Sequence, residues 1–334
     1  IILLLLSGCG SDPSGPSQEE PEAIVPCYHP DSRCWAQVSL GPNMLLPLYR
    51  THPIRQKDTT VSRAIIIVHG AGRNPEDYFR RMIEATFMAA RGPGTLIIAP
   101  HFQTENDGPG PSELAWTSGG WKRGDLSVVR SGMPDRLSSY EAVDRIIQFL
   151  ADSLRFPKLE SVVVTGHSAG GQYTHRFAAT SPAEVQIHHL RFRYIVANPS
   201  TYLFIGPQRP IPDGTGFAIP DPGSCPTYNY WHYGFEDRNT YALRLTEEEI
   251  RNRLLGRDVV YLLGTQDTGD AYLDMSCGAM LQGRHRYARG LNLFAFLETF
   301  YPQHGHLLYE VAGVAHSSSG MYKSEIGLQM LFDW

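Results

Sequence analysis

One stretch of the chain decides the fold: from Val162 to Gly171 it reads Val-Val-Val-Thr-Gly-His-Ser-Ala-Gly-Gly. The apolar residues at its start predict a buried strand, and the residues after it predict a helix. Strand and helix are joined by a Gly-x-Ser-x-Gly turn, in which side chains at Gly166 and Gly170 would collide with neighbouring elements. Such a turn presents the Ser168 hydroxyl beside the amides of a helix N-terminus, which favours a nucleophile over a structural turn serine.

The rest of the chain fits a single α/β domain around this stretch. It has 334 residues, and 42% of them are hydrophobic, which is enough for an extensive core. Apolar runs of strand length alternate with longer amphipathic stretches, which predicts a mostly parallel central sheet with helices on both faces. The predicted strands are 64–69, 95–101, 161–166, 193–197, 258–264 and 307–314, and the predicted helices are 75–91, 137–154, 276–301 and 319–334. Residues 35–60 are expected to add antiparallel edge strands.

Residues 200–256 interrupt this alternation after the predicted strand 193–197, the sixth core strand when the edge strands are counted. The segment is rich in proline and aromatic residues, and a loop of this length in a compact domain usually has a function. We interpret it as a cap insertion within a domain that comprises residues 27–334, placed to cover the site of Ser168. The rings of residues 228–233 either wall a substrate pocket or pack the cap onto the sheet, and the sequence is compatible with both.

A serine hydroxyl needs a base that removes its proton and a third group that orients the base. His316 follows the predicted strand 307–314, and Asp267 follows the predicted strand 258–264. Because the carboxyl ends of parallel strands lie at one edge of a sheet, both side chains can converge on Ser168.

Other side chains compete for these two roles. Asp270 and Asp274 lie close to Asp267 in the sequence and are alternative acids. His167 adjoins the nucleophile and either lines the pocket or packs beneath the turn, whereas His69 is expected to order the loop that follows it. Four further histidines precede predicted strands and are expected at the opposite edge of the sheet: His188, His189, His304 and His306.

The chain order Ser168, Asp267, His316 resembles that of the α/β-hydrolase superfamily, and the resemblance extends from about residue 64 to residue 334. It implies an α/β-hydrolase fold and a serine hydrolase whose Ser-His-Asp triad needs neither a metal nor an organic cofactor. The activity that we expect is hydrolysis of a small or polymeric carboxylic ester through an acyl-enzyme. A serine peptidase or amidase with the same triad is the alternative, and an inactive binding module is a weaker one.

The same resemblance implies an oxyanion hole. In this superfamily an early loop, commonly behind a His-Gly pair, supplies one backbone amide, and the sequence from His69 to Gly72 occupies that place here. The amides of Ala71 and Ala169 would then hold the negative oxygen of a tetrahedral intermediate.

Residues 1–9 look like the end of a secretory signal peptide, too short to span a bilayer. Leu6-Ser7-Gly8-Cys9 resembles the bacterial lipoprotein box, in which the cysteine is lipidated; an ordinary signal peptide or a short buried strand is the alternative. Residues 10–26 are polar and rich in turn formers, as in a flexible tether. We therefore expect a protein anchored to the membrane through Cys9, on the extracytoplasmic side of a bacterial cell envelope.

Four cysteines remain when Cys9 is set aside. An exported context and an even count favour two disulfides, and of the three possible pairings we favour Cys27–Cys34 and Cys225–Cys277. Neither pair has Cys-x-x-Cys spacing, and no matching histidine pair lies nearby, so a zinc site is not expected. The second pair would join the cap insertion to the loop behind Asp267.

Charge and composition limit the partners. The 29 basic and 34 acidic side chains give a net charge of −5. The sequence contains no dense Lys/Arg block of the kind that tracks phosphates, so nucleic acid is not an expected partner. We expect a monomer whose partners are its ester substrate and, through the anchor, a membrane.

Overall fold

An eight-stranded sheet organises the computed structural model, which describes residues 24–133, 135–212 and 214–334. The strands are β1 Trp35–Gly41, β2 Met44–Arg50, β3 Arg63–Val68, β4 Thr95–Pro100, β5 Ser161–His167, β6 Arg191–Ala197, β7 Arg209–Pro210, β8 Phe217–Ala218, β9 Val259–Gly264 and β10 Leu307–Val311. β7 and β8 form a separate two-stranded pair, and the other eight strands form the main sheet. The order across the main sheet is β1-β2-β4-β3-β5-β6-β9-β10. β2 is antiparallel to both of its neighbours and the other adjacent pairs are parallel, which confirms the predicted sheet.

Helices cover both faces of this sheet, as predicted. They are α1 Pro75–Met88, α2 Ser139–Leu150, α3 Ala169–Thr180, α4 Ala183–Gln186, α5 Glu247–Leu255, α6 Cys277–Met280, α7 Arg286–Phe300, α8 Ser318–Tyr322 and α9 Glu325–Phe332. Alternate residues of β3 belong to two separate cores: Ile65 packs with α1, α8 and α9, and Ile66 packs with α2, α3, α5 and α7. This alternation follows from the strand pleat, which sends successive side chains to opposite faces.

Two of the predicted helices are each divided in the structure. The predicted helix 276–301 is split into α6 and α7, because Gly283 has a φ of +144° and His285 is extended. The Nδ1 atom of His285 accepts a hydrogen bond from the Ala288 amide at 3.1 Å and so begins α7. The predicted helix 319–334 is split into α8 and α9, where Ser324 caps the second helix by accepting from the Gly327 amide at 3.0 Å. Side-chain caps of this kind compete with helix continuation.

Most aromatic residues of the 200–256 segment pack inward, whereas Tyr230 is exposed. Trp231, Tyr233 and Phe235 are buried, and the Trp231 indole donates to the Arg123 carbonyl at 2.9 Å. The buried Asp144 carboxylate of α2 accepts a hydrogen bond from the Tyr241 hydroxyl. These contacts fasten the segment to α2 and to the loop that contains Arg123.

Disulfides join Cys27 to Cys34 and Cys225 to Cys277. The second bridge ties the 200–256 segment to the start of α6, ten residues beyond Asp267. Across the described ranges, no helix combines the length and the apolar character needed to cross a membrane. Cys9, with the expected signal remnant and most of the expected tether, lies outside the described residues.

The turn between β5 and α3 depends on the close approach of two backbones. A Cβ atom added at Gly170 would lie 2.2 Å from the Val68 carbonyl oxygen, and one added at Gly166 would lie 2.3 Å from the Gly170 carbonyl carbon. Ser168, between them, has a φ of +61° and a ψ of −119°. This conformation is unfavourable for a residue with a side chain and persists only where the surrounding structure imposes it.

Substitution of Gly170 tests this account of the turn. Helix propensity alone would favour Ala over Gly by about 1 kcal/mol, yet we expect Gly170→Ala to lower the free energy of unfolding by about 3 kcal/mol because its Cβ would meet rigid backbone. Urea denaturation followed by circular dichroism measures the change. Gly305→Ala is the matched control, since nothing lies within 4 Å of the added Cβ. Equal stability of the two variants would contradict the proposed packing.

Candidate active site

Ser168 lies where β5 ends and α3 begins, at the carboxyl edge of the parallel strands. Its amide donates to the Ala197 carbonyl at the end of the neighbouring strand β6, at 3.0 Å. Every residue of α3 is buried, so the helix is a rigid support whose first amides lie next to the serine. A helix N-terminus in this position favours negative charge beside Ser168.

The structure brings Asp267 and His316 together at the same edge. Asp267 Oδ2 accepts a hydrogen bond from His316 Nδ1 at 2.7 Å. Asp267 is buried, with 1% of its side chain exposed, whereas 29% of the His316 side chain is exposed. Because this bond fixes the proton on Nδ1, the Nε2 atom is left as the basic nitrogen of a neutral imidazole.

The two loops that carry this pair cross at very short range. A Cβ atom at Gly264 would lie 2.4 Å from the Val314 carbonyl oxygen. Asn198, at the end of β6, spans both loops: its Oδ1 accepts from the Gly264 amide at 2.8 Å, and its Nδ2 donates to the Ala315 carbonyl at 3.4 Å. Asn198 has a φ of +44°, a region that Asn tolerates better than most residues.

Arg286, the first residue of α7, lies on the far side of Asp267. Its Nη1 donates to Asp267 Oδ1 at 3.4 Å, and its Nη2 donates to the Ala271 carbonyl at 2.6 Å. Only 1% of the Arg286 side chain is exposed. The two carboxylate oxygens of Asp267 thus have separate partners, so the carboxylate cannot rotate away from His316 without breaking a buried ion pair.

His167 is buried and lies against His316, with the ring centroids 4.5 Å apart. Burial, followed by the proximity of His316, Arg286 and Arg81, holds the pKa of His167 well below its usual value. Its Nε2 atom finds no hydrogen-bond partner among the described residues. His167 therefore stays neutral at pH 7 and adds no repulsive charge beside His316.

The loop that follows β3 is ordered by His69 and Arg73. The buried His69 ring accepts a hydrogen bond from the Phe102 amide at Nε2, at 3.0 Å, and its Nδ1 donates to the Gly70 carbonyl at 2.9 Å. Burial lowers the pKa of His69 to about 3, so the ring remains neutral. Arg73 pairs with Asp107 at 2.7 Å and donates to the Ala71 carbonyl at 3.1 Å. These contacts hold the Gly70–Gly72 segment in one conformation.

A cavity of about 510 Å³ opens at Ser168. Its lining includes Ser168, His316, Ala71 and the exposed Tyr272, together with Gly70, Gly72, Asn74, Tyr78, Arg81, His167 and Ser317–Ser319. Its walls come from the β3 loop, α1, the loop after β9 that carries Tyr272, and the His316 loop with the start of α8. None of the described residues between 200 and 256 is among those that line it, so these residues do not form a wall of this cavity.

Two of the competing side chains are engaged elsewhere, and Asp270 is exposed. Asp274 accepts from the Tyr233 hydroxyl at 2.7 Å rather than from a histidine. His306 is buried at the start of β10, on the opposite edge, where its Nε2 lies 2.7 Å from the Leu254 carbonyl oxygen.

In the described part of the chain, the one group of side chains close enough to share a metal ion is Cys27, Asp31 and Cys34. The sulfurs of Cys27 and Cys34 form a disulfide.

Arg286 and Asn198 are the site residues that sequence reasoning misses. Both are ordinary polar residues at the beginning or end of an element, and neither belongs to a recognisable motif. Their importance comes from burial beside Asp267 and Gly264, which no local pattern signals. Only the Asn-Pro pair at residues 198–199, which marks the end of a strand, offers a weak indication.

Comparison with known proteins finds solved structures that share this fold. No protein-family model matches the sequence, and no curated protein matches it. Among solved structures, the chain is similar to LpqC, a poly(3-hydroxybutyrate) depolymerase from Bordetella parapertussis, with 24% identity, a TM-score of 0.59 and coverage of 87% of this chain and 85% of that one. It is also similar to poly(aspartic acid) hydrolase-1 from Sphingomonas sp. KT-1, with 21% identity, a TM-score of 0.63 and coverage of 90% and 98%. At these identities the likeness shows the fold alone.

The ion pair between Arg286 and Asp267 can be tested through stability. We expect Arg286→Met to lower the free energy of unfolding by about 3 kcal/mol, because it leaves a buried carboxylate without its cationic partner. Adding Asp267→Asn should restore part of the loss, and a double-mutant cycle by urea denaturation measures the coupling. Arg284→Met, at an exposed position two residues earlier, is the control. Additive effects of the two substitutions would argue against the pair.

Proposed function

We propose that this chain, which has the α/β-hydrolase fold, is a serine hydrolase that cleaves carboxylic esters with Ser168, His316 and Asp267. One observation carries the proposal: the buried Asp267 holds His316 at 2.7 Å in the cavity that also contains Ser168 on its strained turn. One of the similar structures described above is named as a depolymerase and the other as a hydrolase, which supports a hydrolytic reaction.

In this proposal, His316 Nε2 removes the proton from Ser168 as the serine oxygen attacks the ester carbonyl. Asp267 keeps the opposite ring nitrogen protonated and stabilises the imidazolium that forms. The alcohol leaves with the proton from His316, and an acyl-enzyme remains on Ser168. Water, deprotonated by His316, then attacks the acyl carbon and releases the acid, which regenerates the serine hydroxyl.

Negative charge on the carbonyl oxygen needs donors that are already in place. The backbone amides of Ala71 and Ala169 are our candidates, since Ala71 lines the cavity and Ala169 begins α3. Fixed amides stabilise the developing oxyanion without reorganising during the reaction, and one such donor is worth about 3 kcal/mol. The neutral His167 helps in a different way, because a charged neighbour would disfavour the imidazolium form of His316.

We also propose that the protein works outside the cytoplasm, anchored by a lipid on Cys9. Two disulfides, Cys27–Cys34 and Cys225–Cys277, are typical of an oxidising compartment. The sequence Leu6-Ser7-Gly8-Cys9 supplies the expected modification site, and the polar segment after it would let the enzyme reach substrate away from the membrane surface.

Covalent labelling tests the nucleophile. We expect a fluorophosphonate probe to label the wild-type protein and to leave Ser168→Ala unlabelled, because the probe reacts only with an activated serine. In-gel fluorescence and mass spectrometry of the labelled peptide measure the outcome. Ser319→Ala, which removes another hydroxyl at the cavity wall, is the matched control and should still be labelled. Absence of Ser168-dependent labelling would favour an inactive binding module instead.

Rates on p-nitrophenyl esters of increasing acyl length, run beside peptide amides, separate an esterase from a peptidase or amidase. We expect hydrolysis of the esters, because an alkoxide or phenolate leaves more readily than an amine. Faster cleavage of the amides would replace the ester assignment by a peptidase while leaving the triad in place.

Lipidation is tested directly on the mature protein. After expression in a bacterium, we expect the N-terminal peptide from the membrane fraction to begin at Cys9 and to carry acyl groups, since stable anchoring requires more than one chain. Mass spectrometry of that peptide is the measurement, and Cys9→Ser should move the protein out of the membrane fraction. An unmodified Cys9 in the wild type would refute the anchor.

A further inference from the structure

Arg81 gives the cavity at Ser168 a positive wall. It is the one permanently charged side chain among the described residues that line the cavity, and neither Asp nor Glu is among them. The neighbouring groups on that wall are hydroxyls and an amide, contributed by Asn74, Tyr78 and Ser317–Ser319. The lining therefore combines one cation with several neutral hydrogen-bonding groups.

Arg81 is held in place between α1 and α8. Its Nη1 donates to the hydroxyl of Ser318 at 2.7 Å, and its guanidinium lies 5.5 Å from the centre of the Tyr78 ring. Ser318 is buried and follows His316 by two residues. An added Cβ at Gly70 would lie 2.5 Å from the Tyr78 hydroxyl. Arg81 thus contacts Ser318, which follows the His316 loop, and Tyr78, which packs against Gly70 of the β3 loop.

The carboxylates near Arg81 are engaged by closer cations. Asp77 lies 3.8 Å from Arg81 Nη2, beyond hydrogen-bond distance, and its Oδ1 accepts from Arg80 at 2.5 Å. Glu84, one turn further along α1, pairs with Lys323. The positive charge of Arg81 is therefore only partly balanced by its surroundings.

This charge acts on the catalytic side of the cavity. Arg81 is one of the positive groups that lower the pKa of the buried His167, whose ring lies against His316. Only 28% of the Arg81 side chain is exposed, and such partial burial weakens solvent screening of its charge. A negative group on a molecule bound at Ser168 would be attracted here.

We propose that the substrate is an ester that carries a carboxylate near the scissile bond, and that Arg81 binds this carboxylate. The inference rests on the proposed esterase function of Ser168. A guanidinium presents several donors in one plane and suits a carboxylate, and Ser318, which already holds Arg81, keeps that plane in a fixed orientation. Arg81 is thus a specificity-determining residue, whereas Ser168, His316 and Asp267 carry out the chemistry.

Paired substrates test the proposal. In one series of esters the carboxylate is in the acyl part, and in a second series it is in the alcohol part; each series contains aryl and alkyl members. Every ester is compared with an analogue of the same shape in which a neutral primary amide replaces the carboxylate. We expect the wild type to prefer the carboxylate member of at least one series in kcat/KM. Arg81→Gln should reduce that preference about tenfold or more, the size expected for a hydrogen bond to a charged group.

Two further measurements separate recognition from structural support. Arg81→Lys should retain part of the preference, and the wild-type preference should fall as salt is raised, because salt screens the attraction. Arg91→Gln is the control: it removes an exposed cation three residues beyond α1 that pairs with Asp333 and does not line the cavity, and it should keep the wild-type preference. A merely structural role of Arg81 would lower the rates on both members of a pair equally.

The outcomes distinguish this inference from the proposed function. If the probe labels Ser168 but the wild type shows no carboxylate preference, or Arg81→Gln retains it, the anionic substrate is refuted and the serine hydrolase stands. If no ester is hydrolysed, the proposed function fails, and calorimetric binding of a dicarboxylate half-ester to wild type and Arg81→Gln still tests the anion site. Should Arg81→Gln fail to fold, Arg81→Lys and the salt dependence of the wild type decide.

Discussion

The carboxylate of Asp267 is buried, and a buried charge is tolerated only while it is paired and hydrogen-bonded. Its partners come from two different parts of the chain: His316 from the loop after β10 and Arg286 from the start of α7. His316 can reach Asp267 only if β9 and β10 lie side by side. Arg286 can reach it only because the chain breaks between α6 and α7, which places Arg286 at the start of a new helix. The arrangement of the last third of the chain is therefore coupled to the charge on one side chain.

The 200–256 segment contacts the loop that leaves Asp267, and none of its described residues lines the cavity at Ser168. The Cys225–Cys277 bridge ties it to the start of α6, and the Tyr233 hydroxyl lies within hydrogen-bond distance of both Asp274 and Ser276. These contacts fix the loop that leaves Asp267. The described walls of the cavity come from α1, the β3 loop, the loop after β9 that carries Tyr272, and the His316 loop with the start of α8.

Local sequence was sufficient to place the candidate side chains that follow the end of a strand. Ser168, Asp267 and His316 could each be placed because a buried apolar run precedes them and parallel strands end at a common edge. The division of the predicted helices at Gly283 and Ser324 was missed, because short caps interrupt an apolar pattern that remains helical on both sides. Arg286, Asn198 and Arg81 were missed for another reason: burial and partners distinguish them, and neither is written in local sequence.

The sequence by itself determined the parallel sheet, the strained serine turn and the residues able to serve as base and acid. Periodicity, glycine spacing and the order of residues along the chain can be read directly from the sequence, and few folds are consistent with all three. Only the tertiary structure decided which walls surround Ser168, how Asp267 is paired and where the charge of Arg81 lies. Those features depend on side chains that are far apart in sequence and meet only after the helices have packed onto the two faces of the sheet.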